Sequence, residues 1–405
     1  MDLLKQSVTL KESYFLKGSS LEHITKTKEL LRKLISYPTI SADSNLDLIQ
    51  FIANYLEDLG AKVYIDQNED GKKANLFATL GGKSANSILL SGHTDVVPVS
   101  EQKWDTDPFN LSQKDDKLYG RGACDMKGFI AAVLCKAKEY AELDLKTPIS
   151  FAFTYDEETG CLGAQNLAEW LDINNIKPKI TIIGEPTMMK VVEGHKGCCE
   201  YTTHFRGKAG HGSMPELGVN AVEYALLFGT KLMNLTNELK LRKPSDSKFD
   251  PPWTTVNIGQ IEGGIAHNVI PENCSLSWEF RPVQTSDYDF VKRTMEAYIS
   301  NDLFPQMQKI YSDAKIYTEV LGEITGLEPT EINEARDIVL ELTGQNHADL
   351  VSFGTEAGIY NSLGSSVVVC GPGSIEQAHK PNEFVSLQQL NACLSFLDRL
   401  KEKCG

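Results

Sequence analysis

Four short stretches set histidines and carboxylates beside turns. "SILLSGHTD" ends on His93 and Asp95, and "TYDEETG" holds Asp156, Glu157 and Glu158 in succession. "KITIIGEPT" contains Glu185, and "YGRGACDMKG" packs Gly120, Gly122 and Gly128 around Asp125. Imidazole nitrogen and carboxylate oxygen suit Zn²⁺ and similar divalent ions, and a carboxylate beside such an ion can act as a general base. In an extended chain residues i and i+2 face the same way, so Asp95 is placed to accept the His93 N–H and fix the tautomer offered to a metal. Neighbours Glu157 and Glu158 point in opposite directions, which suits two different tasks. Each stretch also has a plainer reading. His93 and Asp95 can open a polar loop, Asp125 can be an ordinary helix N-cap, and the glutamate pair can complement the dipole of a helix start.

The elements that must position these side chains are legible around them. Helical periodicity runs through "LEHITKTKELLRKLI" and "LDLIQFIANYLEDLG", the second stopping on Gly60. Short β-rich runs follow: "KVYID", "ANLFATL", "SILLSG", "ISFAFTYD", "KITIIGE" and, much later, "SSVVVCG". Runs such as "SILL" and "SVVV" are apolar throughout, as strands covered on both faces must be. With interleaved helices such as "MKGFIAAVLCKAKEYAEL", they predict an α/β fold with a mostly parallel sheet covered by helices. Open α/β sheets bind ligands beyond the carboxyl ends of their strands, where His93, Glu157, Glu158 and Glu185 fall.

The middle of the chain has another period. In "SLSWEFRP", Leu276, Trp278 and Phe280 face one way and Ser275, Ser277 and Glu279 the other. "EYTTHFRG" and "TTVNIGQI" are also strand-like, with the long helix "NAVEYALLFGTKLMNL" between them. Alternation predicts an antiparallel sheet with one open face, hence a smaller α+β domain inserted at residues 188–305. The segments 1–187 and 306–405 then form one discontinuous domain.

Composition excludes several classes. The chain has 405 residues and a net charge of −15, which argues against a general nucleic-acid binder. No run is long and apolar enough to span a membrane. The N-terminal "MDLLKQSVTLKESYFLKG" interrupts each apolar run with charge, unlike a signal peptide. Nine cysteines without a C-x-x-C pair, including adjacent Cys198 and Cys199, read as reduced thiols. The expectation is a cytoplasmic protein.

Taken in order, the H-x-D pair, "GRGACDMKG", "DEETG", "GEPT" and "QAHKPNE" resemble the M20 family of di-zinc amidohydrolases and peptidases. The likeness extends through "GHGSMPELGVNA" and "GGIAHNVIP", motifs of the family's lid or dimerisation domain. In the C-terminal half, "VSFGTEAGIY" and "VVVCGPGSIEQAHKPNEFV" most resemble the acetylornithine deacetylase branch, although Asn382 stands where an aspartate is frequent.

The resemblance implies two divalent metal ions, zinc by family expectation with cobalt or manganese chemically acceptable. Asp125 would bridge them, His93 and Glu185 completing one site and Glu158 and His379 the other. Those three carboxylates offset most of the ions' positive charge, as a partly buried cleft requires. Glu157 resembles the general base that takes a proton from the attacking water, with Asp95 orienting His93. His211 resembles the histidine that reaches into a neighbouring subunit's site to stabilise an oxyanion, implying a homodimer. Asn268 and Arg281 resemble residues that grip the substrate's α-carboxylate, and Glu356 lies beside the expected pocket for a cationic side chain. Because His211, Asn268 and Arg281 sit on the insert, substrate binding would have to close the two domains.

The implied partner is a small N-acyl amino acid, with neither nucleic acid nor membrane involved. Hydrolysis of N-acetylornithine to ornithine and acetate, a step of arginine biosynthesis, is the expected reaction. Other substrates for the same chemistry are succinyl-diaminopimelate, other acylated amino acids and dipeptides. A non-catalytic binding relative would usually lack a ligand or the base, and here both sets are complete.

Overall fold

Apolar residues at helical spacing bury one face of α1 (residues 21–35) and of α2 (Leu46–Asp58), where Leu48, Ile49, Ile52, Ala53 and Leu56 face inward. The computed structural model describes residues 21–82 and 86–405, so the N-terminal stretch read for a leader lies outside the described residues. Chain contacts divide it into two units.

The first unit takes the chain up to Glu193, then Thr330–Asp349 and Ile359–Gly405. After α2 come β1 (Lys62–Gln67), β2 (Ala74–Leu80), β3 (Ile88–His93), β4 (Ser112–Lys114), β5 (Lys117–Tyr119) and α3 (Lys127–Ala141). They are followed by β6 (Ile149–Thr154), α4 (Leu162–Ile173), β7 (Ile180–Pro186) and β8 (Val192–His195). The second unit, Gly194–Pro329 with Leu350–Gly358, contains β9 (Cys198–Arg206), β10 (Gly210–His211), α5 (Ala221–Leu241) and β11 (Thr255–Gly263). It continues through β12 (Val269–Ile270), β13 (Asn273–Arg281), α6 (Thr285–Tyr298), α7 (Phe304–Ile310) and β14 (Lys315–Ile324). The remaining elements are α8 (Glu334–Thr343), β15 (Asp349–Val351), α9 (Ala357–Ser362), β16 (Ser366–Gly371), β17 (Phe384–Ser386) and α10 (Leu387–Cys404).

The main sheet has eight strands in the order β1-β2-β6-β3-β7-β16-β8-β15. Its centre, β6-β3-β7-β16, is parallel: Ile88 lies opposite both Ile149 and Ile180, and Val368 opposite Ile182. Strands β2, β3, β6 and β7 are buried at every position, which is why their sequences run apolar without alternation. Parallel register makes these strands end at one edge, so His93, the residues after Thr154, and Glu185 share it.

The second unit is an antiparallel sheet ordered β11-β13-β9-β14. Leu276, Trp278 and Phe280 are buried in its core with Phe205, Phe228 and Leu232, as the alternation requires. The exit from this unit falls at Pro329/Thr330 instead of near 305/306, because α7 and the edge strand β14 belong to it. The entry falls at Glu193/Gly194, and Leu350–Gly358 returns to the same unit.

Candidate metal centre

His93 closes β3 with 1% of its side chain exposed. Its Nε2 lies 3.0 Å from Asp125 Oδ1 and 3.7 Å from Glu185 Oε1. On the other side of Asp125, Oδ2 is 3.7 Å from His379 Nε2, which in turn stands 2.9 Å from Glu158 Oε2. The two oxygens of one aspartate therefore face two different histidines. Potential ligand atoms of His93, Asp125 and Glu158 fall within 4.8 Å of one another, as do those of His93, Glu157 and Glu185.

Neither carboxylate motif serves as a helix cap. The N-cap of α3 is Met126 and that of α4 is Cys161, and neither makes a side-chain cap. Gly163 closes the "TYDEETG" turn by donating its N–H to Tyr155 O at 3.0 Å. A Cβ at that glycine would come within 2.3 Å of the same oxygen, so only glycine allows the approach. Asp156, at φ 52°, receives Lys73 Nζ on both carboxylate oxygens, each at 2.6 Å.

Asp95 does more than the H-x-D spacing predicts, and partly something else. The His93 Nδ1–H faces the main-chain carbonyl of Asp95 at 3.0 Å, with carboxylate Oδ1 farther off at 3.6 Å. The Asp95 carboxylate instead accepts the backbone N–H groups of Glu157 at 3.1 Å and Glu158 at 3.3 Å, and the Ser41 hydroxyl at 2.7 Å. Burial works against its charge, but His93, Ser41 and the Glu157 N–H hold the carboxyl below the ordinary range.

The donors fit a divalent cation. Glu185 Oε1 is buried with no hydrogen-bond partner. Burial and then the Asp125 charge push the Glu185 carboxyl well up, and the same causes raise Glu158. A buried cluster of like charges with an orphaned oxygen lacks a positive counter-charge, and divalent ions supply one.

The remaining predicted residues belong to the second unit. His211 in β10 pairs with Val269 of β12, and Asn268 O accepts the Gly212 N–H at 2.8 Å, so His211 and Asn268 share one small ribbon. His211 Nδ1 lies 2.7 Å from the Ser213 hydroxyl and 3.2 Å from its backbone nitrogen, and the tautomer in which Nδ1 accepts from both carries its proton on Nε2. Arg281 ends β13 and already carries a carboxylate, that of Glu279, with Nη2 3.0 Å from Oε2. Glu356 is buried and directly precedes α9.

Lys73, Arg121 and Glu383 are the site-building residues that the motifs missed. Arg121 and Glu383 lie inside "YGRGACDMKG" and "HKPNEF", so their positions were in view without a role. Nothing around Lys73 marks it. The Asn382 departure has a local reason. At φ 58°, its Oδ1 accepts the Asp105 N–H at 2.9 Å and its Nδ2 donates to the Asp105 carboxylate at 3.2 Å, where a second carboxylate would repel. All nine cysteines are buried, and none is in a disulfide among the described residues. No helix among the described residues is long and apolar enough to cross a membrane.

Strand-end histidines and carboxylates gathered on a parallel sheet define a metal-dependent amidohydrolase. The chain belongs to peptidase family M20/M25/M40, whose pattern matches residues 89–403. Acetylornithine deacetylase of Aliivibrio salmonicida (strain LFI1238) is 35% identical over 386 residues, covering 94% of this chain and 99% of that protein. An M20 family metallo-carboxypeptidase from Sulfolobus solfataricus shares the fold at TM-score 0.72 and 18% identity, over 93% of this chain and 98% of that one. So does the Bacillus subtilis YXEP protein, described as a dinuclear metal binding peptidase of the family, at TM-score 0.62 and 16% identity, over 94% and 98%.

Proposed function

We propose that the chain hydrolyses the amide bond of N-acetylornithine, giving ornithine and acetate, as a cytoplasmic homodimeric enzyme of arginine biosynthesis. The chemistry rests on one observation: the Asp125 carboxylate stands between His93 and His379, each with a further carboxylate beside it. The substrate rests on likeness to relatives named acetylornithine deacetylase over nearly the full chain.

Two divalent ions would be held by Asp125 together with His93 and Glu185 on one side and Glu158 and His379 on the other. Zinc suits this nitrogen–oxygen donor set, as do cobalt and manganese. Divalent ions held there supply Lewis acidity, polarising the acyl carbonyl and making water easier to deprotonate. Glu157 takes a proton from the attacking water and delivers it to the nitrogen that leaves. The C–O bond forms as the carbonyl π electrons move onto oxygen, and the C–N bond breaks as that oxyanion collapses, so water's oxygen ends in acetate and the proton carried by Glu157 on the amine. His211 offers Nε2–H to the developing oxyanion. Asn268 and Arg281 take the substrate's α-carboxylate, Arg281 by exchanging its Glu279 partner, and Glu356 balances the side-chain ammonium.

Hydrolysis of N-acetylornithine, succinyl-diaminopimelate, other acetylated amino acids and dipeptides, with chelator and then with added zinc, tests this. Acetylornithine should lead, chelation should abolish turnover and zinc should restore it. A dipeptide turned over fastest would replace the substrate, and full activity in chelator would overturn the chemistry.

A further inference from the structure

Asp125 and His379 sit on separate loops and must be held in register if they are to serve one centre. Asp125 follows the loop Gly120–Cys124, whose backbone N–H groups at Gly122, Cys124 and Asp125 converge on a single carboxylate, that of Glu383. Glu383 Oε1 accepts from Cys124 at 2.8 Å and Asp125 at 3.0 Å, and Oε2 accepts from Gly122 at 3.0 Å. Gly122 adopts φ 80°, and a Cβ there would lie 2.8 Å from Val96 Cγ1, so a glycine is needed for the convergence. Three buried N–H groups aimed at one point need an acceptor there, since each left unpaired costs about 1–3 kcal/mol.

The same carboxylate is neutralised by Arg121, whose Nη1 lies 2.8 Å from Oε2, both side chains being 1% exposed. Arg121 then extends the connection. Its Nη2 donates to Gln102 Oε1 at 2.6 Å, and Gln102 Nε2 donates to the main-chain carbonyl of His379 at 2.9 Å. Its Nη1 also reaches the carbonyl of Lys380 at 3.3 Å. His379 has φ 61° and a side chain 56% exposed, so packing does little to fix it and these bonds to its own backbone matter correspondingly more.

The geometry points to Glu383, acting with Arg121 and Gln102, as a positioning residue that locks the Asp125 loop to the His379 loop and so sets the affinity of the centre for its ions. It touches no ligand atom of the cluster and acts through the backbone. The inference rests on the two-ion site of the preceding section. Glu383→Gln keeps the size but turns an NH₂ group towards N–H donors. Gln102→Ala is milder, because Gln102 is only partly buried and its loss cuts the link to His379, with the Arg121 and Trp104 bonds to its Oε1, while the Glu383 cradle stays intact.

The test is calorimetric titration of metal-stripped parent and variants with Zn²⁺ alone, with circular dichroism as the check of folding. The parent should take up two ions. Gln102→Ala should weaken one of the two steps by about tenfold and leave the other unchanged, and Glu383→Gln should weaken both by about 10–100-fold. A folded Gln102→Ala protein that binds both ions within twofold of the parent overturns the inference, whatever becomes of Glu383→Gln. A parent that binds no Zn²⁺ removes the two-ion reading and this inference with it, whereas a two-ion parent without deacetylase activity removes only the substrate.

Discussion

Asp95 Oδ1 lies 3.1 Å from the backbone nitrogen of Glu157, and the same carboxylate accepts the next N–H, that of Glu158, at 3.3 Å. One buried aspartate thereby fixes the backbone that carries both glutamates, while its own carbonyl orients His93. Asp95→Asn is the sharpest test. It preserves the side-chain volume but presents an NH₂ where an acceptor is needed. The expected loss is about 1–3 kcal/mol in stability of the metal-free protein, together with lower ion affinity and turnover. Thermal unfolding and metal titration read both. An Asp95→Asn protein as stable and active as the parent would remove this role.

Glu157 and Glu158 lie in a turn beyond β6, not in an extended strand, but they fall in different donor groups, with Glu185 and with Asp125, and should fail differently. Glu158 approaches His379 at 2.9 Å, and its ligand atoms cluster with those of His93 and Asp125. Glu158→Ala should lower the ion content. Glu157→Gln should retain both ions and lose about 10²–10⁴-fold in kcat, the contribution typical of a positioned general base. Metal analysis and initial rates on the two variants decide it, and an active Glu157→Gln enzyme would sink the assignment.

His211 lies on the second unit, and its Nδ1 is already occupied by the Ser213 N–H. In the proposed role, Nε2–H is the group left to stabilise an oxyanion. His211→Ala should therefore cut kcat by about 10²–10³-fold, as loss of one oxyanion donor does, with ion content and fold unchanged. A loss confined to KM would place His211 in ground-state binding instead.

Much of this was legible in the sequence because the strands carry their burial on their faces. "SILL" and "SVVV" are continuous since both sides of β3 and β16 are covered, and "SLSWEFRP" alternates since one side of β13 is open. The donors stood out because they interrupt or end those runs. Strand β14 escaped because it is an edge strand, exposed at most positions, and "KIYTEVLGEI" shows no clean period. Glu383 escaped for a different reason. A lone glutamate reads as solvent-facing by default, and only the tertiary convergence of three N–H groups makes its burial favourable. Arg281 was legible as a strand-end guanidinium, and Glu279, two residues earlier on β13, shares its face as strand periodicity requires.

His195 supplies a pH test far from the ion ligands in kind, since it is held neutral. Its Nδ1–H donates to Lys196 O at 2.9 Å, so Nε2 must accept, and the Thr355 hydroxyl stands 3.0 Å away as the donor. That hydroxyl in turn accepts the Ala357 N–H at 3.1 Å, which fixes the backbone on either side of Glu356. Burial drives the imidazole pKa down to about 4, against the opposing effect of the Lys196 carbonyl. In the unfolded chain the same ring protonates near its ordinary value of about 6.5. Between those values the unfolded state binds more protons, so this contribution is full above about pH 6.5 and is lost as pH falls towards about 4. Denaturant unfolding at about pH 7.5 and about pH 5 should show the parent losing about 2 kcal/mol more than His195→Gln, whose amide has no proton to gain. Parallel stability curves for the two proteins would mean that the buried ring is not the titrating group.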